Sequence, residues 1–121
     1  MKFTRETPAS VTVRSVSGGA IYIGETAYQH TIALTANRVF DAWPKTPVAS
    51  LTQEDFADLL ATEPAVIVLG TGNALVFPPR ELIFALARRG VGLESMDTRA
   101  AARTFNVLAG EGRRVAAVLY V

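Results

Sequence analysis

The sequence predicts an α/β domain in which antiparallel N-terminal strands enter a mixed central sheet and helices cover that sheet. Three observations predict it. Alternating apolar and polar residues run from Val11 through "YQHTIAL" with glycine-containing turns between them. An apolar run followed by an amphipathic stretch occurs twice, at "AVIVLG" with "PRELIFALARR" and at "GVGLESM" with "TRAAARTFNVLAG". The chain then closes on a further apolar run, "RVAAVLYV". Period-two alternation marks half-buried strands, whereas a continuous β-branched run suits a strand covered on both faces.

Residues 1–10 are polar, contain Pro8, and are expected to lie loosely against a single domain spanning 11–121. "VTVRSV", "AIYI" and "YQHTIAL" read as three antiparallel strands separated by "SGG" and "GET". His30 falls in the third and reads as a strand residue on a partly exposed face, the alternative being a lone acid, base or ligand. In "VFDAWPKTPVASL", Pro44 and Pro47 rule out a helix and a central strand. Trp43 reads there as a core or hinge anchor, with a partner-binding aromatic as the alternative. Thr52 and Asp55 have the spacing of a capping box, and Phe56, Leu59 and Leu60 supply the helical apolar face that ends before Pro64. Gly90 and Gly110 sit where the next two helices should be capped.

Composition excludes several chemistries. At 121 residues, half of them apolar and 19% charged, the chain is globular and long enough for one core. Folding at this size buries roughly 65% of the surface the unfolded chain exposes. A formal charge of +1 argues against electrostatic binding to nucleic acid or anionic membrane as the main activity, and leaves room for a local basic patch. Cysteine is absent and His30 is the single histidine, so thiolate chemistry is impossible and neither a hydrolytic triad nor a zinc site is favoured; no metal or cofactor is expected. "MKFTRETPAS" has no apolar export core, and "VIVLG" and "VAAVLYV" are far too short to span a membrane. The expectation is a cytoplasmic chain without an integral membrane segment.

If strands 66–69 and 91–95 are parallel neighbours, "GTGN" and "MDT" emerge together at the carboxyl edge of the sheet, where open α/β sheets bind ligands. Gly70, Thr71, Gly72 and Asn73 then form either a tight turn or a ligand contact; the spacing to the next helix excludes a P-loop and a dinucleotide fingerprint. Asp97 or Thr98 reads as a helix cap. Projection of 98–109 at about 100° per residue places Ala101, Thr104, Phe105 and Leu108 on one side and Arg99, Arg103 and Asn106 on the other. That polar stripe is either solvated or functional. Arg80 and Arg99 stand in the first turns of two helices, where the macrodipole disfavours a cation by a few tenths to about 1 kcal/mol and a bound anion would relieve it. The expected site is thus an anion-binding crevice built from 70–73, 97–98, Arg80, Arg99, Arg103 and Asn106. Among Glu81, Glu94, Ser95, Asp97, Thr98 and Glu111 no spacing defines a catalytic dyad, so no catalytic residue is assigned. Glu111, Arg113 and Arg114 around Gly112 read as a turn with an ion pair.

The strings "VLGTGN", "PPREL" and "GVGLESMDTRAAARTFNVLAGEGRRVAAVLYV", with Trp43 and the helix from Thr52, resemble a family of small proteins of unknown function from archaea, bacteria and mitochondria. That family includes a mitochondrial respiratory complex I assembly factor and an adipogenesis-associated protein. The resemblance covers about residues 20–121 and implies a three-layer α/β fold with a mixed central sheet and additional strands. It implies no established catalytic activity and no known cofactor. Leu93 and Ser95 stand where the family is often more acidic, and Ala102 where it often has cysteine, which weakens any chemical role for those side chains.

Two functions follow as expectations. The first is a non-catalytic interaction module, an assembly or biogenesis factor with an unidentified protein partner, the crevice taking a peptide or anionic group. The second is a small-molecule-binding protein or enzyme using the same crevice, with Asp97 or Glu94 as base and Arg103 as anion clamp. An exposed strand edge is available for homodimerisation.

Overall fold

The structure, a computed structural model, describes residues 10–121. The expectation of a loose segment at 1–10 therefore lies outside the described residues except at Ser10, which is exposed. Strands β1 (Val13–Ser17), β2 (Ala20–Ile23) and β3 (Thr26–Tyr28) make a small antiparallel sheet in the order β1-β2-β3. The larger sheet comprises β4 (Ile32–Thr35), β5 (Val39–Phe40), β6 (Val66–Thr71), β7 (Gly92–Met96) and β8 (Val115–Tyr120), in the order β5-β4-β8-β6-β7. It is mixed: β6 runs parallel to β7 and β8, whereas β4 runs antiparallel to β5 and β8.

Strand alternation divides the core into two faces. Ala33, Ile67, Leu69, Ala116 and Val118 point to one side, where they meet Trp43, Val48, Leu51, Phe56, Leu59 and Leu60 together with Leu82 and Leu86 of helix α2 (Arg80–Arg88). Ile32, Leu34, Val68, Ala117 and Leu119 point to the other, against Ala101, Ala102 and Phe105 of helix α3 (Thr98–Gly110) and against Val13 and Ile21 of the small sheet. Three layers result, with the central strands β4, β6 and β8 covered on both faces. The predicted α/β class, mixed sheet, flanking helices and additional antiparallel strands are all present.

Four local expectations change. "YQHTIAL" is not one strand: Tyr28 pairs with Ile21 in the small sheet, the chain bends at His30, and Ile32–Thr35 enter the large sheet opposite Leu119–Ala116. The four buried residues of β4 need cover on both faces, which the small sheet cannot give. The connection containing Trp43 is not wholly irregular, since it includes β5 and a 3₁₀ turn, Val48–Ser50; Pro44 and Pro47 lie outside both. The capping box forms, with the Thr52 amide donating to Asp55 Oδ2 at 2.9 Å, but it opens a 3₁₀ turn, Gln53–Phe56, that only then becomes the short helix α1 (Ala57–Leu60). Helix α3 continues through Gly110, and Gly112, at φ 76°, takes the left-handed position after it. The Gly112 and Arg113 amides donate to the Ala109 and Leu108 carbonyls, both at 3.0 Å, which closes the helix as a Schellman motif. Gly90 closes α2 in the same way, as expected.

Because β6, β7 and β8 are parallel, Thr71, Met96 and Tyr120 end at one edge of the sheet. The antiparallel β4 starts there, so His30 and Thr31 arrive at the same edge.

Candidate functional site

Two strand-to-helix junctions share this carboxyl edge. At the first, β7 passes into α3 through the single residue Asp97, whose Oδ1 accepts from the Ala100 amide at 3.0 Å as an N-cap. Thr98 follows and is buried; its hydroxyl donates to the Tyr120 carbonyl at 2.6 Å and accepts from the Gly72 amide at 2.8 Å. The Thr98 amide donates to the Gly72 carbonyl at 2.9 Å. One threonine thereby ties the ends of β6 and β8 to the start of α3. The approach is close enough to require glycine, since a Cβ at Gly70 would lie 2.9 Å from Thr98 Cα.

At the second junction, β6 reaches α2 through residues 72–79. Buried Thr71 organises the loop: its hydroxyl donates to the Ala74 carbonyl at 2.6 Å and accepts from the Val76 amide at 3.1 Å. The loop then turns Leu75, Val76 and Phe77 outward, with Phe77 71% exposed, and Phe84 of α2 is also exposed. In the sequence this stretch, "ALVFPP", is the spacing that separates the glycine turn from the next helix. Its signal was four consecutive apolar residues without a strand or helix to bury them.

The structure thus brings Gly70, Thr71, Gly72, Asp97 and Thr98 together and hydrogen-bonds this group to the ends of the neighbouring strands. The amides of Gly72, Thr98 and Ala100 at these junctions are engaged by the protein itself. Asn73 is exposed on the loop, and Arg80 is exposed at the first position of α2. Arg99, Arg103 and Asn106 are not beside the "GTG" turn; the helix turns them toward β1. Arg99 Nε donates to the Val16 carbonyl at 3.1 Å. The Asn106 side chain pairs with Val13 as a strand would, accepting from its amide at 3.0 Å and donating to its carbonyl at 2.8 Å. The reason is a second apolar face on α3: Ala102 is buried with Val13 and Ile21, which the projection onto one face did not allow for.

A cleft of about 560 Å³ opens at the same edge, walled by Trp43, Pro44, Pro47 and Tyr120, with His30 and Asp41 at its rim. Trp43 is a core anchor, packed edge-on against Phe56 at 5.3 Å between ring centroids. The Tyr120 hydroxyl donates to the Thr46 carbonyl at 2.7 Å, and burial pushes its pKa above the ordinary value, with the neighbouring Trp43 N–H acting in the opposite direction. That indole N–H is itself buried without a hydrogen bond of good geometry. His30 Nε2 lies 3.0 Å from the Asp41 carbonyl and is exposed. Among the described residues no group of three or more His, Asp or Glu is placed to hold a metal ion. Glu111 and Arg113 approach to 4.0 Å at the exposed turn after α3, as the sequence suggested, while Arg114 instead donates to the Glu63 carbonyl. No helix among the described residues is long and apolar enough to cross a membrane.

A family model described as "Protein of unknown function (DUF498/DUF598)" matches residues 13–120. The chain is 34% identical over 98 residues to the 13 kDa major membrane protein of Francisella tularensis, covering 80% of this chain and 78% of that one. It is 32% identical over 112 residues to NADH dehydrogenase [ubiquinone] 1 alpha subcomplex assembly factor 3 of Rattus norvegicus, covering 83% of this chain but only 60% of the assembly factor. The NMR structure of a Xanthomonas campestris protein superposes with a TM-score of 0.84 at 38% identity, covering 93% of this chain and 85% of that one.

Proposed function

The chain belongs to the DUF498/DUF598 family of proteins of unknown function, and from that premise we propose that it is a non-catalytic interaction module that assists assembly of a membrane or respiratory complex. The observation that carries this reading is the apolar loop, Leu75, Val76 and Phe77, tied at its base by Thr71 and exposed at the carboxyl edge. Burying a side chain of this kind contributes roughly 1.5–3 kcal/mol. Three adjacent ones supply the apolar centre of an interface, and contiguous exposed apolar surface marks such sites. The similarity to assembly factor 3 supports the same role, although 40% of that protein has no counterpart in the match.

The partner is then a protein with a complementary apolar surface. Crosslinking in cells followed by recovery of this chain should yield a defined partner, and Leu75→Ser with Phe77→Ser should lose it without unfolding. An unchanged partner set in that double variant would sink the reading. The cytoplasmic location is part of the proposal; recovery in the membrane fraction through the loop would instead align it with the Francisella relative's name.

A second reading has its own observation, the cleft beside Trp43 and Tyr120. A small organic ligand seated there would raise the melting temperature, and Tyr120→Phe or a bulky substitution at Ala42 would alter that shift while leaving protein capture intact. Homodimerisation would use the outer edge of β7, the last strand of the large sheet, and light scattering would report it.

A further inference from the structure

The fold gathers Arg14, from β1, with Arg99 and Arg103, one turn apart on α3, around a cleft of about 280 Å³ that also includes Ser15. No residue lining it is acidic, and among the described residues no carboxylate lies within 4.0 Å of any of the three guanidinium groups. In a chain of net charge +1 this is a local concentration of positive charge, made by segments 85 residues apart in sequence.

Two of the three arginines are already oriented. Arg99 donates through Nε to the Val16 carbonyl at 3.1 Å, which leaves its Nη groups unengaged by that contact. Arg14 donates through Nε to the Gly24 carbonyl at 3.3 Å, and its guanidinium stacks over the Tyr22 ring at 5.3 Å. Anchoring at Nε holds the Arg99 guanidinium on the α3 side of β1 while keeping its outer fork for a ligand, so less side-chain freedom is lost on binding. Arg103 makes no hydrogen bond to the described residues and is exposed at the rim. Asn106, spent on Val13, belongs to the frame and not to the ligand contacts.

We propose that the cleft between β1 and α3 binds a phosphate monoester or diphosphate group through Arg99 and Arg103, with Arg14, held over Tyr22, adding positive charge at its border. A carboxylate offers two oxygens and one charge, whereas a phosphate dianion offers three oxygens and matches several guanidinium forks at once. The site lies on the opposite side of α3's first turn from the "GTG" loop and is independent of the apolar interface.

The test is titration of the full chain with inorganic phosphate and pyrophosphate, and with acetate as the carboxylate control, following arginine Nε–Hε and backbone amides by NMR. Saturable shifts at 13–16 and 99–106 at millimolar phosphate are expected, with acetate markedly weaker. Arg103→Gln, which removes no hydrogen bond of the described fold, should weaken binding by about tenfold, and Arg88→Gln, on α2, should not. Vesicles of phosphatidylcholine with and without phosphatidic acid distinguish the source: co-sedimentation that needs phosphatidic acid and is lost in Arg103→Gln identifies a lipid headgroup. The inference is overturned if neither phosphate nor phosphatidic acid binds, if acetate binds equally well, or if Arg103→Gln leaves binding unchanged.

Discussion

The two strand-to-helix junctions at the carboxyl edge of the sheet solve the same connection in opposite ways. Between β7 and α3 a single residue intervenes, and Asp97 and Thr98 place their polar atoms on backbone groups of three elements. Between β6 and α2 eight residues intervene, held at their base by Thr71 and carrying Leu75, Val76 and Phe77 into solvent. The first junction spends its polar groups on the fold. The second leaves apolar surface unspent. A short junction whose hydroxyl and amides are engaged within the fold turns few groups outward, whereas a longer loop tied at its base can present a surface that the fold itself does not use.

Breaking the locked junction should have the largest effect. Thr98→Val keeps the volume but strands the Tyr120 carbonyl and the Gly72 amide, each losing a bond of 2.6–2.8 Å. Leaving buried polar groups unpaired costs about 1–3 kcal/mol each, so a loss of about 2–4 kcal/mol is expected from the shift in the urea midpoint. A loss well under 1 kcal/mol would mean that the hydroxyl does not hold the three elements together. Gly70→Ala attacks the same junction sterically. The new Cβ would sit 2.9 Å from Thr98 Cα and 3.0 Å from Ala101 Cβ, so α3 must move off β6. A cost of about 1–3 kcal/mol is expected, with amide shifts concentrated at 97–102.

Legibility in the sequence followed the same division. The parallel arrangement of β6 and β7 is readable from the strand–helix–strand order and its right-handed crossover, and the cap at Asp97 and the core residue Phe105 from capping chemistry and helical periodicity. Gly70 and Gly72 read as a tight turn or a ligand contact; in the structure Gly70 lies hard against Thr98 and Gly72 takes a positive φ. What was not readable depends on contacts distant in sequence. Asn106 looks like a solvent residue until Val13 is placed beside it, 93 positions earlier. The break of "YQHTIAL" at His30 is likewise decided by competition between two sheets for the same apolar run. Arg99 and Arg103 share with Asn106 the polar face that the projection gives them, but their neighbour Arg14 comes from the small sheet, whose docking onto α3 no helical projection contains.

A milder change at the locked junction sharpens the comparison. Asp97→Ala removes one cap while leaving the Thr98 contacts in place, and should cost about 1 kcal/mol. Amide exchange should quicken in the first turn of α3 and remain slow at Val68 and Val118 in the sheet interior. Equal acceleration in both places would show that the cap and the Thr98 contacts act as one unit.

The smallest stability effect belongs to the open loop. Leu75→Ser with Phe77→Ser alters two side chains that are at least half exposed, while the hydrogen bonds by which Thr71 holds the loop run to backbone atoms and survive both substitutions. A change within about 0.5 kcal/mol is therefore expected in the urea midpoint, since surface substitutions remote from core, caps and buried polar groups fall in that range. The same pair should abolish partner capture. A destabilisation of 2 kcal/mol or more, on the order of a buried large-to-small change, would place these side chains in the fold's own packing. With stability intact and the partner lost, the loop's apolar surface is assigned to recognition, in contrast to a neighbouring junction whose every polar substitution is felt by the fold.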